Sequence, residues 1–490
     1  MRIRVGCRSV LLTVATTLAL APATLHAQFV YVANSGVDGV HQGNISVYRI
    51  NSSTGALTPI SGSPYTAGMG PVSVALDPSG KFTYVVNTNS DNISVYGINS
   101  STGALTPISG SPFSTGIDPT YVTVDPSGKF TYVTNAGNNT VSGYRINSST
   151  GALTPVSGSP FPAGLVPISV TVDPSSRFAY AANIGGYPLA GSVSAYTIDS
   201  NTGVLTPISG SPFPAGLEPV SVAVDLSGKF AYVANFFSAN VSAYTIDSNT
   251  GALTPISASP FPAENLPNFV AMDPSGRFAY VTNGGFGLPG SVSAYRIDST
   301  TGALTPISGS PFPAELSPVS LAMDPSGKFA YATNGGPFPL PGNISGYTID
   351  STTGALTPIA GSPFPAGISP HSVAVTGCPT PPAITGLSPA PATLWPPDHE
   401  LIDVLVNYDV TAPCGEPAVC TLSVASNEPV NNDQTSPDWV VLDDHHVELR
   451  AERLGNGSGR IYTVTVRCKD ARGNSATQNT AVTVAHDQGH

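Results

Sequence analysis

Hydrophobic and polar positions alternate in short runs along most of this chain, and the runs return with a regular period. In one repeat, the alternation predicts strands at residues 220–225, 230–235, 241–246 and 253–257. The prolines fall at strand ends and in connectors, where a missing N–H removes no ladder hydrogen bond. The pattern therefore predicts an all-β unit of four antiparallel strands.

A second signal with the same period is the motif Thr-Gly-Ala/Val-Leu-Thr-Pro, which occurs seven times. Its glycines, spaced by 48 to 52 residues, are Gly55, Gly103, Gly151, Gly203, Gly251, Gly302 and Gly354. Four strands in a unit of this length, with no helical pattern, fit a propeller blade better than a solenoid coil. We therefore interpret each repeat as one blade.

The repeats also show how the array closes. The second-strand motif Tyr-x-x-Asn occurs seven times, but a first strand followed by an Asp-x-Ser turn occurs only six times. The array begins with a second strand at residues 29–34, and the missing first strand follows at residues 371–375. We predict a seven-bladed β-propeller over residues 28–376, with blade one closed by N- and C-terminal strands so that no sheet edge is left open.

All length variation between repeats lies in the loop between the second and third strands, which is long in blades one, four, six and seven. In a propeller this loop shares a face, here named the long-loop face, with the connectors that enter the innermost strands. The Asp-Pro-Ser-Gly and Thr-Gly turns lie on the opposite face, named the turn face. Isolated aromatic residues on the long-loop face suggest a shallow binding surface for a glycan, a peptide or a cell-surface protein, although loops also tolerate insertions without function. The candidate ligand-binding residues are Tyr187, Phe236, Phe237, Asn268, Phe286 and Phe338.

Composition narrows the classes of partner. The 490 residues carry a formal net charge of −12 and only 10% charged residues, with no basic stripe that would bind nucleic acid or an anionic membrane. Residues 1–27 combine an arginine-containing start, an apolar core and a small-residue cleavage site, which predicts a secretory signal and an exported protein. We expect a monomer with no cofactor and no membrane insertion.

The composition changes after residue 376. A Pro-rich linker at residues 377–392 precedes short alternating segments at residues 393–490, which predict an Ig-like β-sandwich. Four cysteines, confined to this part of an exported chain, predict two disulfides with three possible connectivities. We favour Cys420–Cys468 with Cys378–Cys414, because Cys420 and Cys468 each lie in a β-patterned run. Zinc binding is the alternative, but none of the spacings is Cys-x2-Cys.

The run Asp443-Asp444-His445-His446 contains four side chains of metal-ligating type. Neighbouring residues in a strand or turn point in opposite directions, so one ion could use only some of them. We interpret the run as a polar hairpin loop and predict no metal site.

The strings Asp-Pro-Ser-Gly-Lys-Phe-x-Tyr-Val-x-Asn and Thr-Gly-Ala-Leu-Thr-Pro-Ile resemble the YVTN/lactonase-type seven-bladed propellers, which include 6-phosphogluconolactonases and carboxymuconate cyclases. The resemblance covers residues 29–376. The segments at residues 394–399 and 470–474 make the C-terminal module similar to Ig-like and HYR-type domains of bacterial extracellular proteins. For the propeller, the resemblance implies His, Arg and Glu side chains around the central channel.

Only part of that catalytic set is present. His371 is the one histidine among the seven residues that follow the proline entering each innermost strand, and His41 lies in the long loop of blade one. Asp118 and Glu218 precede that proline in blades three and five, and no arginine occupies these positions. We therefore expect an exported scaffold protein that binds a ligand on the long-loop face, with the Ig-like module as spacer or adhesion domain. The alternative is a lactonase that uses His371, His41, Glu218 and Asp118 at the channel.

Overall fold

The structure is a computed structural model. It describes residues 28–36, 42–186, 188–285, 289–336, 339–377, 382–411, 418–429, 437–454, 459–470 and 475–485. The predicted secretory signal lies outside these residues, as do His41, Tyr187, Phe286, Phe338, Cys378 and Cys414. Within the described residues, the structure holds no helix with the length and apolar character that a membrane crossing requires. The helical elements described are the two 3-10 turns Thr88–Ser90 and Ala136–Asn138.

Seven antiparallel sheets form the propeller, and each begins with an innermost strand. The innermost strands are Pro370–Val375, Pro71–Leu76, Pro119–Val124, Pro167–Val172, Pro219–Val224, Pro267–Met272 and Pro318–Met323, for blades one to seven in turn. Each of these strands contacts the innermost strands of the two neighbouring blades, so the seven form a closed ring around a central channel. The predicted seven-bladed architecture is confirmed.

Moving outward, each sheet continues with a second and a third strand. The second strands are Phe29–Asn34, Phe82–Asn87, Phe130–Asn135, Phe178–Asn183, Phe230–Asn235, Phe278–Asn283 and Phe329–Asn334. The third strands are Gln42–Ile50, Asn92–Ile98, Thr140–Ile146, Ser192–Ile198, Asn240–Ile246, Pro289–Ile297 and Pro341–Ile349. The nine-residue third strands belong to blades one, six and seven, which are neighbours, so the extended third strands are grouped on one side of the propeller.

The outermost strand differs from the prediction, because two short segments lie end to end along the third strand. The first segments are Leu57–Pro59, Leu105–Pro107, Leu153–Pro155, Leu205–Pro207, Leu253–Pro255, Leu304–Pro306 and Leu356–Pro358. The second segments, predicted only as connectors, are Tyr65–Met69, Phe113–Ser114, Phe161–Pro162, Phe213–Pro214, Phe261–Pro262, Phe312–Leu316 and Phe364–Ile368. In the gap of blade one, the Ser63 hydroxyl accepts the hydrogen bond that the Val47 N–H would otherwise give to a strand carbonyl, and every blade repeats this contact.

Blade one closes the ring as predicted. Its second strand, Phe29–Asn34, pairs antiparallel with Pro370–Val375, with Val30 opposite Val375 and Val32 opposite Val373. The Phe29 N–H also donates to the Thr376 hydroxyl at 2.8 Å. Strands more than 300 residues apart in sequence therefore form one sheet, which leaves no innermost edge unpaired.

The Tyr-x-x-Asn motif of one blade contacts the Thr-Gly motif of the next blade, and together they form the junction between the two blades. The Tyr31 hydroxyl of blade one donates to the Gly103 carbonyl of blade two at 2.9 Å, and the equivalent bond recurs at all seven junctions. The Phe29 ring packs against Gly103 so closely that a Cβ there would lie 2.4 Å from its Cδ1. An apolar cluster fills each junction between neighbouring blades. Glycine is required at position 103 because the backbone φ there is +77° and because the Phe29 ring leaves no room for a side chain.

The C-terminal residues form two four-stranded sheets around one apolar core, an arrangement consistent with an Ig-like domain. In sheet order, one sheet contains Ala383–Ala390, Leu401–Thr411, His446–Arg450 and Trp439–Val441, and the other Thr393–Leu394, Ser475–Val484, Arg460–Asp470 and Ala418–Ser426. The predicted linker at residues 377–392 was too long, because its second half is a strand paired with Leu401–Thr411. Cys420 and Cys468 form the favoured disulfide across paired strands.

Candidate functional site at the long-loop mouth of the channel

The channel mouth on the long-loop face is built from the first residues of the seven innermost strands. The residue before each entering proline has a left-handed backbone, with φ between 49° and 63°. Its carbonyl accepts a hydrogen bond from the residue that follows the second strand, and this bond recurs in all seven blades. The seven residues that directly follow these prolines form an upper layer of the channel. The seven residues that come next in sequence form a deeper layer. The deeper layer of blades one to seven is Ser372, Ser73, Tyr121, Ser169, Ser221, Phe269 and Ser320.

His371 lies in the upper of these layers, in blade one. Its residue is exposed at the mouth, and the neighbouring protein atoms still desolvate the imidazole ring. This enclosure lowers the pKa of the His371 imidazole from the usual 6.5, because the charged form is poorly solvated there. A neutral imidazole at neutral pH has the basic nitrogen that a general base requires.

Tyr121 and Phe269 narrow the channel in the deeper layer. They belong to blades three and six, which are as far apart around the ring as seven blades allow. Their ring centroids are nevertheless only 6.4 Å apart, with an interplanar angle of 34°. The two rings therefore meet across the axis and form a floor beneath the long-loop mouth.

The five serines of the deeper layer have a different role from the two aromatic residues. Each serine hydroxyl accepts a hydrogen bond from an N–H of the next blade; Ser73, for example, accepts from Val122 at 3.1 Å. In the two blades that carry a ring instead, the preceding side chain links the blades. Thr120 donates to the Pro167 carbonyl and Asn268 to the Pro318 carbonyl, both at 3.0 Å.

Asn268, predicted as a ligand contact, therefore has a structural task. Its amide nitrogen also donates to the Gly284 carbonyl, so both N–H groups serve backbone acceptors. A ligand at the mouth would have to use the amide oxygen or displace a bond between blades.

Asp118 and Glu218 both lie at the mouth, on the left-handed residue before the entering proline. The Asp118 side chain is exposed and the Glu218 side chain is half-buried, and partial burial raises the pKa of the Glu218 carboxyl. Blades three and five place them away from His371, and no hydrogen bond or ion pair among the described residues joins the histidine to either carboxylate. The structure therefore does not assemble a His–carboxylate pair from these three residues.

Cationic side chains of the propeller are engaged away from the mouth. Its five arginines each stack on a phenylalanine ring and donate to a backbone carbonyl of the next blade: Arg49, Arg145, Arg177, Arg277 and Arg296. Its four lysines follow the Asp-x-Ser-Gly turns on the turn face: Lys81, Lys129, Lys229 and Lys328. The long-loop face instead carries carboxylates: Asp91, Asp118, Glu218, Glu264 and Glu315. An anionic ligand would thus meet repulsion at this mouth.

Two of the predicted aromatic contacts are described, and they lie together on the long-loop face. Phe236 and Phe237 pack edge to face with centroids 5.1 Å apart, and Phe237 is 44% exposed. The Phe236 N–H donates to the Glu218 carbonyl, so the pair lies beside that carboxylate residue. The remaining aromatic candidates, Tyr187, Phe286 and Phe338, lie outside the described residues, as does His41.

The turn face carries a depression of about 1100 Å³. Its lining includes the cationic residues Lys129, Arg177 and Lys469 and the turn aspartates Asp77 and Asp125, and the two aspartates are engaged within their own turns. Asp125, for example, accepts from the Phe130 N–H at 2.7 Å and from the Ser127 N–H at 3.2 Å. The repeated aspartates therefore stabilise turns.

Metal-binding chemistry has little support in the described parts of the chain. No three His, Cys, Asp or Glu side chains come together there as a metal site requires. In the run at residues 443–446, the Asp443 carboxylate accepts from the backbone N–H of His445 and of His446, which is a turn arrangement. His445 stacks on Tyr408 with centroids 4.3 Å apart.

Fold and site together define a closed seven-bladed propeller whose channel has its long-loop mouth above the contact between Tyr121 and Phe269. The family described as "Lactonase, 7-bladed beta-propeller" matches residues 21–117, 121–265 and 244–360, which is more than half of the chain. The chain belongs to this family. No curated protein matches its sequence.

Solved structures share this fold at low sequence identity. A putative 6-phosphogluconolactonase from Bacteroides uniformis is 19% identical with a TM-score of 0.59, covering 72% of this chain and 100% of that one. Another from Bacteroides fragilis is 21% identical with a TM-score of 0.58, covering 73% and 100%. The periplasmic gluconolactonase PpgL of Pseudomonas aeruginosa is 18% identical with a TM-score of 0.57, covering 71% and 99%. At these identities the likeness establishes the fold alone.

Proposed function

We propose that the protein is a lactone hydrolase acting at the long-loop mouth of the channel, with His371 as the general base. The observation that carries the proposal is a histidine with a lowered pKa directly above a floor of two aromatic rings, in a chain of the lactonase family. The sequence alone favoured a binding protein and gave this activity only as the alternative. Family membership reverses that order.

The hydrolysis needs one proton acceptor and a means of stabilising negative charge. The His371 imidazole takes a proton from a water molecule whose oxygen attacks the lactone carbonyl carbon. The tetrahedral intermediate collapses with cleavage of the ring C–O bond, and the imidazolium returns its proton to the leaving alkoxide. The product is an open-chain hydroxy acid, and its carboxylate is repelled by the acidic long-loop face, which favours release.

Charge at the mouth favours an uncharged substrate. A phosphorylated lactone carries about two negative charges, and cationic partners are needed to bind such a group tightly. Every arginine of the propeller is engaged with a ring and a backbone carbonyl, and its lysines lie on the turn face. An exported protein, as the first 27 residues suggest, would also meet sugar lactones without a phosphate group. We therefore assign uncharged aldonolactones as the substrate class.

A lactone panel tests the proposal. Wild-type protein is assayed with an uncharged sugar δ-lactone and its 6-phosphorylated counterpart, with the spontaneous hydrolysis rate subtracted. We expect turnover of the uncharged lactone and at least a tenfold lower kcat/KM for the phosphorylated one. Enzymatic hydrolysis of neither compound, or a preference for the phosphorylated one, refutes the assignment.

A second candidate function is ligand binding without catalysis on the long-loop face. The exposed Phe237 favours it, together with the exposed side chains of Ile117 and Leu165 beside the mouth. A glycan, a peptide or a cell-surface protein fits such a surface, and the C-terminal module would act as spacer or adhesion domain. This function predicts that Phe237→Ser loses capture from a glycan or cell-surface array. Unchanged capture would count against it.

A further inference from the structure

Tyr121 is the one tyrosine among the described propeller residues whose hydroxyl has no hydrogen-bond partner. Second-strand tyrosines donate to the Thr-Gly turn of the next blade, as Tyr31 does to Gly103. Third-strand tyrosines donate to the outer segment of the preceding blade, as Tyr48 does to the Pro365 carbonyl at 2.7 Å. Even Tyr65, on an outer segment, donates to Ser61. Tyr121 therefore departs from a rule that the rest of the propeller obeys.

The position of Tyr121 also departs from the repeat. Five of the seven blades have serine there, and those serines link neighbouring blades. A tyrosine gives up that bond, and Thr120 replaces it with a bond to Pro167. Since the link between blades is maintained in another way, the ring and hydroxyl of Tyr121 are available for a different task.

Phe269 limits where the Tyr121 ring can lie. The two rings are 6.4 Å apart across the channel axis, and each also packs against the apolar cluster beside its own blade. Such contacts restrict the rotamers of both side chains. The phenol therefore stays in the channel, in the layer directly beneath His371.

The depth of the two layers places the hydroxyl within reach of a bound lactone. A strand advances about 3.3 Å per residue, so the layer of His371 and the layer of Tyr121 differ by about that distance along the axis. A five- or six-membered ring that contacts the His371 imidazole rests on the floor formed by Tyr121 and Phe269. Burial also raises the pKa of the Tyr121 hydroxyl to about 12, so it carries its proton at neutral pH.

We propose that the Tyr121 hydroxyl donates a hydrogen bond to the lactone carbonyl oxygen and stabilises the oxyanion that forms on it, while Phe269 holds the phenol in position. This role rests on the proposed hydrolase function. The carbonyl π electrons move to oxygen when the water oxygen bonds to carbon, and Tyr121 keeps its proton while its O–H bond points at the new charge. His371 performs the proton transfer, so the two residues have separate tasks.

The test compares Tyr121→Phe with wild type and with the control Tyr65→Phe. Removal of one preorganised donor to an oxyanion lowers kcat by about 100-fold. We expect that loss in Tyr121→Phe, with KM changed less than threefold and with the acid limb of the pH profile in place, since His371 is intact. Tyr65→Phe should behave as wild type. A Tyr121→Phe protein with wild-type kcat overturns the inference while leaving the hydrolase function standing.

A binding measurement separates the two claims if turnover is absent. The probe is the δ-lactam of the same sugar, which offers a carbonyl oxygen and resists hydrolysis. A phenol that begins to donate a hydrogen bond changes its ultraviolet absorption, so the lactam should produce a tyrosine difference spectrum in wild type that is lost in Tyr121→Phe. Such a signal without lactone turnover supports hydrogen bonding from Tyr121 to a carbonyl oxygen, and it refutes the hydrolase function together with the oxyanion role. If neither the difference spectrum nor lactone turnover is observed, the donor role and the hydrolase function are both refuted. An equal difference spectrum in Tyr121→Phe refutes the donor role alone.

Discussion

The joint between blades predicts a large and selective cost for adding one methyl group at Gly103. Its φ is +77°, and a Cβ there would lie 2.4, 2.7 and 2.8 Å from three atoms of the Phe29 ring. Alanine in a left-handed conformation costs about 1–2 kcal/mol. Overpacking in a well-filled junction adds about 1–3 kcal/mol. We therefore expect Gly103→Ala to lower the free energy of unfolding by about 2–5 kcal/mol.

The same blade supplies a matched control. Gly80 has a φ of +67°, and a Cβ at that position would meet nothing within 4 Å. In blade four, Ser176 occupies the equivalent position with a φ of 58°, so this turn accepts a side chain. Gly80→Ala should therefore show only the conformational cost, of about 1–2 kcal/mol.

Urea unfolding of the full-length variants, followed by tyrosine fluorescence, measures the difference between them. In the Phe29→Leu background the contact with the ring is absent, so the penalty for Gly103→Ala should shrink toward that of Gly80→Ala. Two results would refute the view that the Phe29 ring requires glycine at position 103. One is equal destabilisation by Gly103→Ala and Gly80→Ala, and the other is an undiminished penalty for Gly103→Ala in the Phe29→Leu background.

Three further predictions concern other contacts. Tyr180→Phe should lower stability by about 1–3 kcal/mol in the same urea assay, because the buried Gly251 carbonyl loses its 2.8 Å partner; an unchanged midpoint would contradict this. Serine at Cys420 and Cys468 should lower the stability of the C-terminal module by about 4 kcal/mol, which calorimetry would record as an earlier transition, while the propeller transition stays in place. In the pH profile of kcat/KM, the midpoint of the acid limb should lie below pH 6.5, because the pKa of His371 is lowered and the neutral base persists to lower pH. A midpoint at or above pH 6.5 would contradict the assignment.

The repeat carried most of the fold information. The count of Tyr-x-x-Asn against Asp-x-Ser motifs was sufficient to predict seven blades and the closure by His371–Val375, because each motif marks a fixed place in a blade. The split outer strand was missed because Ser-Pro-Phe-Pro has the composition of a connector, and its two or more paired residues show no alternation. The linker boundary was missed for a similar reason, since Ala383–Ala390 contains both a glycine and a proline.

The site was only partly accessible from sequence. His371 could be singled out because it breaks a repeated pattern next to an entering proline. Tyr121 and Phe269 break the serine pattern one residue further on, which is a signal of the same kind in the sequence. Their contact across the channel could not be inferred, because 148 residues separate them and only the ring geometry brings them together.

Replacement of His371 by glutamine tests the central claim most directly. The measurement is the initial rate of hydrolysis of an uncharged sugar δ-lactone by wild type and by His371→Gln, each corrected for spontaneous hydrolysis. Loss of a general base lowers the rate by about 10²–10⁴-fold. The account predicts measurable turnover by wild type and a loss of that size in the variant, at an unchanged urea midpoint. Equal rates for the two proteins, or no turnover by wild type, would contradict it.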